Sequence, residues 1–86
     1  MYDKILSEEG EEMIYTTRLK ELREDNDLKQ KDIAKILGID QQYYSQYERG
    51  INELPIRHLI KLCIYYGVSA DYILGLPKNL KYIERN

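Results

Sequence analysis

The chain has 86 residues, of which 43% are hydrophobic and 33% charged, and its formal net charge is −2. This length holds one small hydrophobic core, and the composition is that of an ordinary foldable domain. No apolar run approaches the roughly 20 residues that a membrane-spanning helix needs, so we expect no membrane partner. A single cysteine and a single histidine exclude an internal disulfide framework and leave too few ligands for a structural zinc site.

Charge is distributed unevenly along the chain. Five acidic side chains and one basic side chain give residues 1–12 a net charge of −4, so the remainder carries +2. The strongly basic balance that points to nucleic acid is absent. We therefore divide the chain into an acidic N-terminal arm at 1–12, a domain at 13–76 and a C-terminal tail at 77–86. The acidic start is unlike a secretory signal, and with the single cysteine it favours a cytoplasmic location.

The middle of the chain predicts short helices and no strand. Apolar residues recur at helical spacing from 14 to about 26 and again over Gln30–Leu37. Gly38 follows, and glycine adopts the left-handed conformation that ends a helix without steric strain. A third helix is predicted over 41–49, with the carboxylate of Asp40 accepting from its first free amides.

Two further helices are predicted after residue 53. Pro55 opens the fourth, which ends at Gly67, and Ser69 caps a fifth over Ala70–Leu74. We expect His58, in the first turn of the fourth helix, to be exposed, and the single thiol to be buried and unreactive. The apolar face of the fourth helix, which we expect to be buried, consists of Ile56, Leu59, Ile60, Leu62, Cys63 and Tyr66.

Tyrosine takes the place of the other aromatic residues, since the chain has nine Tyr and neither Phe nor Trp. This number also fits a stacking platform for single-stranded nucleic acid, but core packing is the simpler interpretation. The tyrosines that fall on predicted core stripes are Tyr15, Tyr44, Tyr47, Tyr66 and Tyr72.

The join between the second and third helices is a short turn containing glycine, which is typical of a helix-turn-helix. The segment LKQKDIAKILGIDQQYYSQYERG at 28–50 resembles the phage repressor and Cro-type (XRE-like) helix-turn-helix family. The flanks RLKELR at 18–23, LIKL at 59–62 and YGVSADYILG at 66–75 share the resemblance. It implies an all-α, compact five-helix bundle of the lambda-repressor-like type. It further implies a transcriptional regulator, most simply a repressor, that binds a double-stranded operator as a homodimer. The residues themselves argue against an enzyme or a cofactor, since the sequence shows no phosphate-binding loop, no Ser/His/Asp set and no second group of metal ligands.

The resemblance also implies roles for particular residues. Gln30 matches a glutamine that bonds a phosphate and braces the first residue of the recognition helix. Arg23 and Glu48 match a partly buried ion pair between the first and third helices. The resemblance assigns base contacts to Gln41, Gln42 and Gln46. With the residues that flank them, the full set of candidate DNA-binding residues is Lys29, Gln30, Gln41, Gln42, Tyr43, Ser45, Gln46, Arg49 and Asn52.

The chemistry of the third helix favours the same interpretation. Its polar residues fall at i, i+1, i+4 and i+5 and form one row opposite Tyr44 and Tyr47. An α-helix fits the major groove, where a glutamine amide can pair with adenine N6 and N7. A neutral row is not repelled by a polyanion, so a net-acidic chain can still bind DNA. The members of this row are Gln41, Gln42, Ser45 and Gln46.

Three features depart from the family pattern. Lys29 replaces a Ser or Thr N-cap, which removes about 1 kcal/mol of helix stabilisation. The ammonium group of the lysine can instead reach a phosphate. The loop after Gly50, often basic in relatives, carries Glu53. Tyr43 stands where small residues are common, and it either packs on the sugar-phosphate backbone or changes the tilt of the helix.

Two questions stay open at this level. The glutamine row is also compatible with an ordinary solvated face, and the acidic arm is also compatible with an antitoxin or a protein-interaction adaptor of the same fold. A regulator of this kind would bind a pseudo-palindromic operator with half-sites about 34 Å apart. The predicted dimer contact lies within 68–83, and its apolar members are Tyr72, Leu76, Leu80 and Ile83.

Overall fold

The structure, a computed structural model, describes residues 14–77 and contains five α-helices and no strand within that span. The all-α prediction is confirmed, and the helix bounds agree with the sequence to within a residue. The acidic arm and the tail from residue 78 onward lie outside the described residues, as do Leu80 and Ile83 of the predicted dimer contact. The helices are α1 (Ile14–Asp25), α2 (Gln30–Leu37), α3 (Gln41–Glu48), α4 (Ile56–Tyr66) and α5 (Ala70–Leu74).

The core gathers side chains from all five helices. The pair α2 and α3 packs most extensively, and α1 packs on both α3 and α5. Burying an aliphatic or aromatic side chain of this size contributes roughly 1.5–3 kcal/mol relative to exposing it, so the core holds α3 firmly on α2. The buried hydrophobic residues of the core are Leu19, Leu22, Ile33, Ala34, Leu37, Tyr44, Tyr47, Leu62 and Ile73.

The turn between α2 and α3 depends on backbone conformation. Gly38 has φ +73° and ψ +33°, the left-handed conformation that the sequence predicts. The next amide, that of Ile39, donates to the carbonyl of Ala34 at 2.9 Å. A Cβ added at Gly38 would meet no atom within 4 Å, so the left-handed φ rather than crowding favours glycine there.

The helix N-termini are capped in different ways. Lys29 makes no side-chain cap, as expected, but its backbone N–H donates to the Asp32 carboxylate at 2.8 Å. The predicted cap by Asp40 is wrong, because its side chain makes no capping hydrogen bond. Asp40 is exposed, so water can satisfy the free amides of α3 instead. The predicted cap at α5 is confirmed, since Ser69 Oγ accepts from the N–H of Tyr72 at 3.1 Å.

The orientation of α4 differs from the prediction. His58 is only 5% exposed, and its ring centroid lies 6.0 Å from that of Tyr47 in α3, so the expectation of an exposed histidine is wrong. The predicted burial of Ile56 and Ile60 is also wrong. The helix is turned so that His58 and Leu62 face the core. Its solvent side then carries a row spaced at i, i+4 and i+8, which consists of Ile56 (72% exposed), Ile60 (54%) and Ile64 (75%).

Two further core predictions need correction. Tyr72 is 45% exposed because its ring lies at the surface under the guanidinium of Arg18, whose Cζ is 4.4 Å from the ring centroid. The same guanidinium donates to the backbone carbonyl of Tyr72. Cys63 is half-buried against the core rather than fully enclosed, and burial raises the pKa of its thiol. Tyr15 and Tyr66 are also partly buried against the core.

Candidate nucleic-acid interface

An ion pair anchors the C-terminal end of α3. Arg23 Nε lies 2.8 Å from Glu48 Oε2, and Arg23 Nη2 donates to Glu48 Oε1 at 3.0 Å. The two side chains are only 12% and 4% exposed, respectively. Gln30 Nε2, from α2, donates to the same Oε1 at 3.1 Å. Glu48 therefore joins α3 to both α1 and α2 through hydrogen bonds to a charged group, which are stronger than neutral ones.

The protonation states around Glu48 follow from burial and from these bonds. Burial by itself would raise the pKa of Glu48, but the hydrogen bond and the charge of Arg23, together with smaller contributions that include the hydrogen bond from Gln30, outweigh it and hold the pKa below its ordinary value. The hydrogen bond to Glu48 also raises the pKa of Arg23. Burial, followed by the charge of Glu48, raises the pKa of Tyr66 to about 12 and that of Tyr44 further. The ion pair thus stays charged at neutral pH while both tyrosines stay neutral.

Gln30 acts on a different end of α3 from the one that the resemblance implies. Its amide nitrogen is directed to Glu48, the last residue of α3, and not to Gln41, the first. In this structure Gln30 therefore contributes to the ion-pair network at Glu48 instead of bracing Gln41. Gln30 remains half-buried, and its contact with a phosphate stays a prediction.

The outer face of α3 carries the predicted polar row. Gln41 and Gln42 are exposed in the first turn, while Ser45 and Gln46 are half-exposed in the second. On the opposite face, Tyr44 and Tyr47 are buried. The structure therefore places these four polar side chains together on one accessible ridge.

Tyr43 lies along the surface of α3. Its side chain is 53% exposed, and its ring stacks on that of Tyr47 with centroids 6.2 Å apart and an interplanar angle of 9°. The ring is thus supported from the protein side, and its other side stays accessible. This position is compatible with a contact to the sugar-phosphate backbone.

The loop after α3 folds back onto the helix. Gly50 has φ +75°, and the amides of Ile51 and Asn52 both donate to the Gln46 carbonyl, at 2.9 and 3.3 Å. Asn52 Nδ2 then donates to the Gln46 side-chain oxygen. Sequence reasoning missed this pairing, although the left-handed glycine four residues after Gln46 was a signal that the chain reverses there.

A second pairing lies on the same turn of α3. Arg49 Nε donates to Ser45 Oγ at 3.3 Å across one helical turn. Four of the predicted DNA-binding residues, Ser45, Gln46, Arg49 and Asn52, are thereby brought together in two side-chain pairs. Lys29 is exposed at the start of α2, on the neighbouring helix of the motif.

Two other kinds of site, a metal centre and a membrane span, are not found in the described part of the chain. Residues 14–77 hold no group of three or more His, Cys, Asp or Glu side chains placed to bind a metal ion. Within the same span, no helix is both long and apolar enough to cross a bilayer.

Comparison with known proteins agrees with this geometry. Residues 19–73 match the helix-turn-helix family model. The HTH-type transcriptional regulator YobD of Bacillus subtilis is 38% identical over 82 residues, which are 84% of this chain and 73% of YobD. The HTH-type transcriptional regulator ImmR of the same organism is 41% identical over 58 residues, or 67% of this chain and 46% of ImmR.

A solved structure shows the same fold. The crystal structure of a transcriptional regulator from Listeria innocua superposes with a TM-score of 0.73 at 24% identity, covering 83% of this chain and 66% of the other. Two packed helices joined by a glycine turn, with a polar ridge on the second, define a DNA-binding helix-turn-helix domain. The chain belongs to the XRE-type helix-turn-helix family of transcriptional regulators, which confirms the resemblance found in its sequence.

Proposed function

We propose that this chain represses transcription by binding a specific double-stranded operator through α3. The observation that carries the proposal is the ridge of uncharged polar side chains on α3, opposite two buried tyrosines. Such a helix fits the major groove, where each base pair presents a distinct pattern of donors and acceptors. In this arrangement Gln41 and Gln42 contact base edges, and α2 crosses the phosphate backbone. The chain acts by binding rather than by catalysis, and it does so in the cytoplasm, where its operator lies.

The electrostatics of α3 support contact with a polyanion. Glu48 is the only acidic residue of α3, and it is turned inward and paired with Arg23. No negative side chain of α3 therefore faces the groove. Lys29 and Arg49 are exposed at the ends of α2 and α3, where they can approach phosphates.

The operator-bound form is proposed to be a homodimer on a pseudo-palindromic site, with half-site centres about 34 Å apart. Within the described residues, the exposed ring of Tyr72 and the half-exposed Leu76 are the part of the predicted contact that is accessible. Sedimentation of the full chain tests the dimer separately from DNA binding. A monomer at high concentration would contradict it.

The base-reading role is tested by selecting bound fragments from a pool of random duplex DNA. Gln41→Ala or Gln42→Ala should lose about 1–3 kcal/mol on the preferred sequence and flatten the preference at one base pair. An equal loss of affinity for every sequence would show that these glutamines do not read bases. A parent chain that selects no sequence would favour the protein-binding alternative instead.

The phosphate role of Lys29 has a matched control. Lys29→Ala should weaken binding to all duplexes alike and lower the slope of log affinity against log salt by about one. Lys20 is also exposed but lies on α1, outside the proposed interface, so Lys20→Ala should leave the slope unchanged. Equal slopes for the two variants would place Lys29 away from the DNA.

A further inference from the structure

The two turns of α3 differ in what their side chains are free to bind. Gln41 and Gln42, in the first turn, are exposed, and no side-chain hydrogen bond engages them among the described residues. A glutamine amide in that state can rotate to present either its oxygen or its nitrogen. In the second turn, both side-chain acceptors already receive a hydrogen bond from the chain itself.

Gln46 is held by the loop that follows it. Its Oε1 accepts from Asn52 Nδ2, and the backbone amide of Asn52 bonds to the Gln46 carbonyl at 3.3 Å. An oxygen that accepts from Asn52 leaves the two donors of Gln46 Nε2, which make no hydrogen bond among the described residues, available to a base. The backbone bond holds the loop in place, so this orientation is set before any DNA arrives.

Ser45 and Arg49 repeat the pattern one position away. Ser45 Oγ accepts from Arg49 Nε at 3.3 Å, which leaves the serine hydroxyl hydrogen and the terminal nitrogens of the arginine available to donate. Arg49 is exposed. The second turn of α3 therefore offers donors from three neighbouring side chains.

We infer that the second turn of α3 selects acceptor-rich base edges, guanine O6 and N7 above all, and that Asn52 is the positioning residue that sets this preference. The inference rests on the proposed function and specifies which chemistry each turn reads. Guanine presents two acceptors in the major groove, whereas the exocyclic amino groups of adenine and cytosine are donors. The first turn, whose amides are free to rotate, keeps the ability to pair with adenine.

The decisive experiment changes the partner of Gln46. In Asn52→Asp, the carboxylate can only accept, so Gln46 turns its Nε2 toward residue 52 and presents Oε1 to the groove. Selection from random duplex DNA should then show a roughly tenfold shift at one base pair, away from guanine and toward adenine or cytosine. Gln46→Ala should abolish the preference at that same base pair.

A matched control separates orientation from charge. Ile51 is 58% exposed and adjacent to Asn52, so Ile51→Asp adds the same charge without replacing the side chain that holds Gln46. It should weaken binding to every duplex by a similar factor and leave the selected sequence unchanged. If Asn52→Asp behaves like Ile51→Asp, with all base preferences retained, the inference is wrong.

A measurement without DNA keeps this result distinct from the proposed function. In the free protein, the Nε2 protons of Gln46 should shift downfield in the NMR spectrum of Asn52→Asp, because they become hydrogen-bonded to a carboxylate. If Asn52→Asp is folded and its Gln46 Nε2 signals are unchanged from those of the parent, the orientation argument is wrong even if the parent binds DNA. A parent that selects no DNA sequence would instead contradict the proposed function itself.

Discussion

The third and fourth helices differ in which of their residues are buried and which are exposed to solvent. α3 buries Tyr44 and Tyr47 and directs its amide side chains to solvent, as its polarity pattern predicts. α4 buries His58 and leaves three isoleucines more than half exposed. Both helices pack on the same core, so the difference lies in how each is rotated about its own axis.

The comparison shows how helix orientation is decided. α3 is held by an ion pair and by its extensive packing on α2, and both constraints place the same side inward. The apolar surface of α4 is broader than the face that a small core can cover. Only some of its apolar residues can therefore be buried. Leu62 is fully buried and His58 nearly so, while the isoleucine row is left outside. A wide apolar face therefore predicts a helix reliably but predicts its inward side poorly.

Removal of the ion pair that anchors α3 should cause the largest loss of stability. Glu48→Ala leaves Arg23 with 12% side-chain exposure and no carboxylate partner, and we expect a loss of about 3–5 kcal/mol in the free energy of unfolding. Urea denaturation measures it. Glu53→Ala, which removes an exposed acid from the adjoining loop, should change stability by less than about 0.5 kcal/mol. Similar losses for the two variants would show that the pair does not hold α3.

The same pair makes stability depend on acid. Since the pKa of Glu48 is lower in the folded chain than in the unfolded chain, its contribution is present above the unfolded value of about 4.3 and is lost as pH falls through the folded pKa. Glu48→Gln should flatten this part of the stability profile. An unchanged acid limb would contradict the assignment.

Two substitutions on α4 should differ next most. Leu62 is fully buried, so Leu62→Ala should lose about 2–5 kcal/mol through lost burial and a cavity. Ile64, two residues further on, is 75% exposed, and Ile64→Ala should change stability by less than about 0.5 kcal/mol. Thermal unfolding of both variants measures the contrast, and a reversed order would mean that α4 is rotated toward its isoleucine row.

His58 should give the smallest effect, and one that depends on pH. Burial, and then the charges of Arg57 and Lys61, lower the pKa of His58 in the folded chain. The unfolded chain therefore binds the proton first, so stability is full above about pH 6.5 and declines as pH falls through the folded pKa. His58→Leu, with unfolding followed at pH 7 and pH 5, should lose less stability on acidification than the parent. An equal loss in both would place the histidine in water.

Much of the site was predictable from residue order alone. The helical spacing, the glycine at 38 and the row of glutamines opposite Tyr44 and Tyr47 depend on contacts within a turn or two of the chain, and such local patterns are legible in a sequence. The Arg23–Glu48 pair came from the family resemblance, since its partners are 25 residues apart. The roles assigned in DNA binding remain predictions.

What the order of residues determined by itself was therefore the set of helices, their ends and the polarity of α3, because these follow from backbone propensity and helical periodicity. Only the tertiary structure decided that Gln30 bonds to Glu48, that Asn52 holds Gln46, and that α4 buries a histidine while exposing isoleucines. Each of these depends on side chains brought together by packing, where the finite volume of one small core and the pairing of buried polar atoms determine which contacts are made.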